Sequence, residues 1–203
     1  MRSLVILIFL TLVLNITAFA GDVENIHKLV NKKIDIVVSL LTNKKIEKKE
    51  RDEKIIKAIS PIIDFRIMAK MSLKKKHKKK LTKLQRKEFY DLFEQRLHAS
   101  LIEKLDLYTD EQVLVDKAKQ INKNLIDVLA YLVSGSGKKT DINFRFIKTP
   151  KSKKWKVFDV EILGTSIVTS YRSNFANILT KGSYKDLKDW LLKSNDIIPE
   201  KIN

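Results

Sequence analysis

The side chains that could do chemistry are few in this chain of 203 residues. Asp159 and Glu161 lie two apart in Trp155-Lys156-Val157-Phe158-Asp159-Val160-Glu161-Ile162, a run that reads as a strand. Residues two apart on a strand share a face, so the two carboxylates could work as an acid–base pair. The sequence sets no histidine beside them, and the plainer alternative is that one of them receives Arg172 or a lysine. His27, His77 and His98 are far apart, and none has a ligand-type residue three or four positions on, so no metal site is expected. Gly135-Ser136-Gly137-Lys138-Lys139-Thr140 glances at a phosphate loop, but Lys139 intervenes before the threonine and Leu132 holds the earlier glycine position. It reads as a hairpin turn. Gly164-Thr165-Ser166 lacks the flanking glycine of a nucleophile elbow. There is no cysteine, which removes disulfides, thiolate metal sites and cysteine nucleophiles. No cofactor is implied. A hydrolase using Asp159 or Glu161 stays open as the weaker reading, and a binding protein is the stronger one.

The two ends and the charge narrow the setting. Met1 and Arg2 precede an apolar run over residues 4–14, and Ala18-Phe19-Ala20 sets small residues at the positions a signal peptidase reads. Residues 1–20 are therefore expected to be a cleavable signal, and residues 21–203 one exported domain. The formal net charge is +17, supplied mainly by lysine. Such a balance suits anionic lipid heads or nucleic acid, and a lysine-rich genome would also produce it. Export and the scarcity of arginine forks argue against nucleic acid.

Several elements must position whatever site exists. Ile26, Val30, Ile34, Val37 and Leu41 fall at helical spacing over residues 23–41. A short helix over 51–60 turns Ile55, Ile56 and Ile59 inward and stops at Pro61. Asp64 is placed to cap a helix from Phe65, on which Phe65, Met68 and Ala69 share a face. Residues 74–80 are lysine broken only by His77; they read as a solvated loop or a frayed helix end. Thr82-Lys83-Leu84-Gln85 fits a capping box for a long helix, with Phe89, Phe93, Leu97 and Leu101 on one stripe. Beyond Tyr108 the period becomes two. Strands are expected near Val113 and Val115, over 125–133, over 141–149 with Ile142, Phe144 and Phe146 on one face, and over 155–162. Residues 150–154 turn the chain back. Ser166 and Ser183 are placed to cap two final helices. The expected fold is α+β: a twisted antiparallel four-stranded sheet packed by N-terminal and C-terminal helices around an apolar lipid cavity.

A greasy interior with no attached chemistry suits a carrier. Moving about thirty CH2 groups into water costs roughly 25 kcal/mol at about 0.8 kcal/mol each, so a diacyl lipid must be enclosed almost completely. Its tails occupy on the order of 800–1,000 Å³, near the top of the usual pocket range. The side chains expected to touch them are Phe65, Met68, Phe89, Phe93, Leu97, Leu101, Phe144, Phe146, Ile167, Val168 and Tyr171. Asp159 and Arg172 are expected to pair, holding the last long strand to the helix after it.

Three segments carry a family likeness. They are Ile63-Asp64-Phe65 with Met68-Ala69; Gln85-Arg86 with Phe89 and Phe93; and Trp155-Lys156-Val157-Phe158-Asp159-Val160 followed by Gly164-Thr165-Ser166, Tyr171-Arg172 and Phe175. Together they resemble the MlaC family of periplasmic phospholipid-binding proteins, also called toluene-tolerance auxiliary proteins. Between the first two segments that family has Leu-Gly and a tryptophan, where this chain has Leu73 and then lysines. The resemblance implies an α+β lipid carrier and no enzyme. It also implies traffic between an inner-membrane ABC transporter complex with an MCE-type subunit and an outer-membrane lipoprotein–porin complex, in support of outer-membrane lipid asymmetry. A carrier of another apolar lipid, such as a hopanoid, is the nearest alternative.

Overall fold

The computed structural model describes the backbone of residues 2–149 and 153–193, with side chains from residue 21 onward. The side chains of the expected signal, and Pro150 in the expected turn, lie outside the described residues. The first helix, α1, spans Arg2–Thr42. From residue 21 its apolar stripe is graded: Ile26 and Val30 are buried, while Ile34, Val37 and Leu41 are half-buried. Helix α2 (Lys48–Ile59) starts three residues earlier than its isoleucines require, and Ile55 is its buried residue. A single 3₁₀ turn over Ser60–Ile62 takes Pro61 at its start, where the missing N–H costs nothing.

Helix α3 (Phe65–Ser72) begins as the sequence indicates, the Asp64 carboxylate accepting the Ile67 N–H at 2.8 Å. The lysine run departs from expectation. It forms a short helix, α4 (Lys75–Lys80), whose underside is His77, only 4% exposed, with buried Leu73 and Leu81 on either flank. Three inward side chains outweigh the self-repulsion of the lysines, five of which are exposed. Helix α5 (Lys83–Leu105) carries the expected box: Thr82 Oγ1 accepts the Gln85 N–H at 3.1 Å, and Gln85 Oε1 accepts the Thr82 N–H at 2.9 Å.

Strands β1 (Gln112–Asn122), β2 (Leu125–Val133), β3 (Lys139–Lys148), β4 (Trp155–Ile162) and β5 (Thr165–Ser166) form one antiparallel sheet in chain order. The fold class is the expected α+β, with a fifth strand in place of the expected four. That strand is two residues long, too short to print a period. It folds back on β4 through Leu163 and Gly164, both at positive φ (50° and 74°), so Ile162 faces Thr165 across a two-residue turn of the primed type. Helices α6 (Ile167–Lys181) and α7 (Tyr184–Leu192) follow, capped by Ser166 and by a Ser183–Asp186 box.

Two apolar cores result. One is helical, built from α3, α5, α6 and α7. The other lies between α1 and one face of the sheet. Half-buried Ile63 packs against both, and at this seam Asp64 N–H donates to the Val157 carbonyl at 2.8 Å. A lone parallel bridge between Ile63 and Val157 accompanies that bond.

Candidate functional site

The sheet has two chemically different faces, and register shows which residue belongs to which. Val128 lies opposite Phe144, and Phe144 opposite Val160; Ala130 lies opposite Ile142, and Ile142 opposite Ile162. Cross-strand partners share a face, so these form one apolar inner face. Helix α1 covers one end of it. There Ile26 and Val30 meet Ile126, Val128, Phe146 and Val157, all buried. An Asp22–Lys148 ion pair at 2.9 Å ties this part of α1 to β3, and the lysine's hydrogen bond holds the Asp22 carboxyl below its ordinary range. Around that floor Ile34, Val115, Phe144 and Val160 pack only half-covered. A half-covered apolar rim around a dry floor is the surface in this fold that an aliphatic chain would occupy at no polar cost.

The outer face is polar. Arg145 lies 3.1 Å from Glu161, 3.6 Å from Asp127 and 3.9 Å from Asp159. An open groove of about 300 Å³ crosses this face, lined by Lys117, Lys119, Asp127, Asn143 and Glu161 among others. It is smaller than two acyl chains need, and Lys117, Lys119, Asp127, Asp141 and Glu161 stand beside Ile121 and Leu129 along it, so an acyl chain there would lie against charges.

Ten of the eleven side chains expected to touch tails divide between the two cores. Phe65, Met68, Phe89, Phe93, Leu97, Val168 and Tyr171 converge in the helical core, with Ile167 packed against it. Phe144 and Phe146 stand in the other core. Leu101 is half-buried further along α5 and belongs to neither core. The rings of the helical core fill the space between them. Phe93 meets Tyr171 at 5.1 Å between centroids, Phe89 meets Phe175 edge-on at 5.5 Å, and Trp190 closes on Phe175 at 5.6 Å. This packing makes the helical core a wall, and makes the inner sheet face the surface left to be covered. Ile126, Val128, Val157 and Val160 were absent from the candidates. They lie on β2 and β4, strands the sequence indicates, but their register against Phe144 and Phe146 is not stated by the sequence.

The expected pairing of Asp159 with Arg172 is not what forms. Asp159, 3% exposed, accepts the Ser166 hydroxyl at 2.6 Å and the Val168 N–H at 3.1 Å. Arg172 donates from Nε to the Met71 carbonyl at 2.7 Å. Asp159 does hold β4 to α6, as expected, but through a hydroxyl and a backbone amide at the helix N-terminus, where a negative charge is favoured. Arg172 instead ties α6 to the last turn of α3. Both carboxylates of the possible acid–base pair are thereby engaged, Asp159 with α6 and Glu161 with Arg145. Among the described residues, no group of three or more histidine, aspartate or glutamate side chains converges as a metal site.

Comparison with known proteins decides the lineage. The family model described as MlaC protein matches residues 29–193. The chain belongs to the MlaC family. The match covers α2 to α7 entirely and α1 from residue 29 onward. A solved structure of a phospholipid-binding protein from Ralstonia solanacearum, in complex with a phospholipid, shares the family fold with this chain. The TM-score is 0.68 at 18% identity, covering 81% of this chain and 93% of the other. No relative matches among curated proteins.

Proposed function

We propose that this protein is a phospholipid carrier of the periplasm. It takes both acyl chains between the inner sheet face and the helices, and it shuttles lipid between an inner-membrane ABC transporter complex with an MCE-type subunit and an outer-membrane lipoprotein–porin complex. One observation carries the reading: an apolar sheet face whose rim, at Ile34, Val115, Phe144 and Val160, is only half-covered. Membership of the MlaC family and the fold shared with a phospholipid-bound structure support it. The same two facts, and the engagement of Asp159 and Glu161 with structural partners, support a binding protein over an enzyme. Among the described residues no helix is long and apolar enough to cross a membrane, in keeping with a carrier that moves between two of them.

The tails enter where the two cores meet. The helical wall is close-packed, so it shifts as a body, and the seam at Ile63 is where wall and sheet part. The charged head stays at the rim in water, because burying an unpaired phosphate is far costlier than burying methylenes. Protein purified without detergent, extracted with organic solvent and analysed by mass spectrometry should yield diacyl phospholipid in near-stoichiometric amount. A hopanoid or another apolar lipid in the extract would replace the cargo but keep the carrier. Protein that yields no lipid and takes none from vesicles would overturn the proposal.

A further inference from the structure

The lysine run is not absorbed by any of this. Lys74, Lys75, Lys76, Lys79 and Lys80 are exposed, and Lys78 is half-buried. Elsewhere the protein compensates many of its lysines: Lys28 meets Glu24, Lys54 meets Glu50, Lys185 meets Asp189 and Lys188 meets Glu88. Among the described residues none of the six lysines of the run has an acidic partner within ion-pair distance. They are also held in place. His77, Leu73 and Leu81 anchor the underside of α4, and Arg86 donates to the carbonyls of Lys78 and Leu81 at 3.3 and 2.9 Å. Directly beyond, in the first turn of α5, Leu84 is 76% exposed, the most exposed large apolar side chain of the described residues. Exposed Lys70, Lys83 and Lys87 extend the same charge.

We propose that this corner, α4 with the first turn of α5, is a docking surface for an anionic bilayer. An uncompensated, fixed cluster of ammonium groups is drawn to a negatively charged leaflet. An exposed leucine among them can enter the boundary between heads and acyl chains. Lysines are point charges suited to a diffuse sheet of phosphates. One leucine and long-range charge make the contact reversible, which a shuttle requires. The inference is independent of which cargo the inner sheet face takes.

The test uses protein recovered from the periplasmic extract of an expressing cell, so that it carries whatever N-terminus export leaves. Co-sedimentation is measured with vesicles of phosphatidylcholine alone and of phosphatidylcholine mixed with phosphatidylglycerol. Binding should require the anionic lipid. It should fall away between about 0.1 M and about 1 M salt, as the screening length contracts from about 10 Å to about 3 Å. Changing Lys75, Lys76, Lys79 and Lys80 together to Gln should weaken it by several hundredfold, at roughly fivefold per lysine. Leu84→Gln should weaken it further in the same background. A matched variant with exposed Lys44, Lys45, Lys119 and Lys123 changed to Gln loses the same formal charge and should bind almost as the parent does. Equal loss in both variants would mean that net charge, not this corner, is responsible. Binding that ignores lipid charge or salt, or a corner variant that binds vesicles normally but loses a membrane-protein partner, would likewise overturn the proposal. Lipid content by mass spectrometry is read separately, so a failure here is distinguishable from a failure of the carrier reading.

Discussion

The Asp159 carboxylate and the Ser166 hydroxyl lie 2.6 Å apart across the turn that joins β4 to α6. Ser166 also accepts the Thr169 N–H at 3.0 Å, so one hydroxyl caps the helix and donates to the strand. Ser166→Ala removes a cap, worth about 1 kcal/mol, and a charge-assisted bond to a buried carboxylate. We predict a loss of about 2–3 kcal/mol in denaturant unfolding, with Asp159→Asn costing a similar amount. The double variant should show coupling of more than about 0.5 kcal/mol. The charge-swapped pair Asp159→Arg with Arg172→Asp should rescue neither single change, because Arg172 serves the Met71 carbonyl. Rescue by the swap would mean that the two side chains do meet in solution.

The turn itself offers a stabilising change. Leu163 is 56% exposed and sits at φ 50°, followed by Gly164 at φ 74°. Asn-Gly is the pair this turn prefers, since asparagine tolerates the left-handed region and leucine does not. Leu163→Asn should raise stability by about 0.5–1 kcal/mol, and Gly164→Ala should lower it by about 1 kcal/mol. A thermal melt of each variant reads both; a lower midpoint for Leu163→Asn would contradict the turn assignment.

Wall and site should separate by mutation. Phe93 is fully buried among rings, so Phe93→Ala should cost about 3–5 kcal/mol, the usual range for emptying an aromatic site. Phe144 is half-buried at the sheet rim, so Phe144→Ala should cost less than about 2 kcal/mol. Its larger effect should appear as reduced lipid in the solvent extract. Unchanged lipid content in a folded Phe144→Ala protein would move the tail site away from this face.

Mild acid should weaken the fold through His77 and His98. Burial lowers His98 below the ordinary histidine value of 6.5, where it sits edge-on to Phe65 at 4.8 Å and 3.2 Å from Ser60 Oγ. Burial also lowers His77, aided by Lys76, Lys80 and Lys74. A depressed folded pKa means the unfolded chain takes up protons first. The stabilisation is then full above 6.5 and is lost as pH falls through the depressed values. Denaturant midpoints measured from pH 7.5 down to pH 5.5 should decline, and the His77→Gln/His98→Gln variant should decline less. An identical slope in parent and variant would assign the acid sensitivity elsewhere.

Helix starts were legible because capping is local: Asp64, Thr82, Ser166 and Ser183 each act within three residues of themselves. The central strands were legible because their apolar period is two. Strand β1 was read only near Val113 and Val115, since register shifts after Val115 and after Gln120 break its alternation. The partner of Asp159 was missed because charge complementarity suggests Arg172, whereas the turn delivers a hydroxyl seven residues on. The lysine run reads as a solvated loop or a frayed helix end because composition describes its outside, and what orders it is the single inward His77. For the site, side-chain type picked out the rings. Which rings make the wall and which face a cargo depends on register between β2, β3 and β4, and no single segment holds that information.

The helical core draws on two distant stretches of chain, α3 and α5 before the sheet and α6 and α7 after it. A ribosome delivers the first pair well before the second. Until the last stretch emerges, Phe65, Met68, Phe89 and Phe93 have no Tyr171, Phe175 or Leu187 to cover them. The newborn protein must therefore spend most of its synthesis with its stickiest surface bare, and holding chaperones are the natural guardians of that interval.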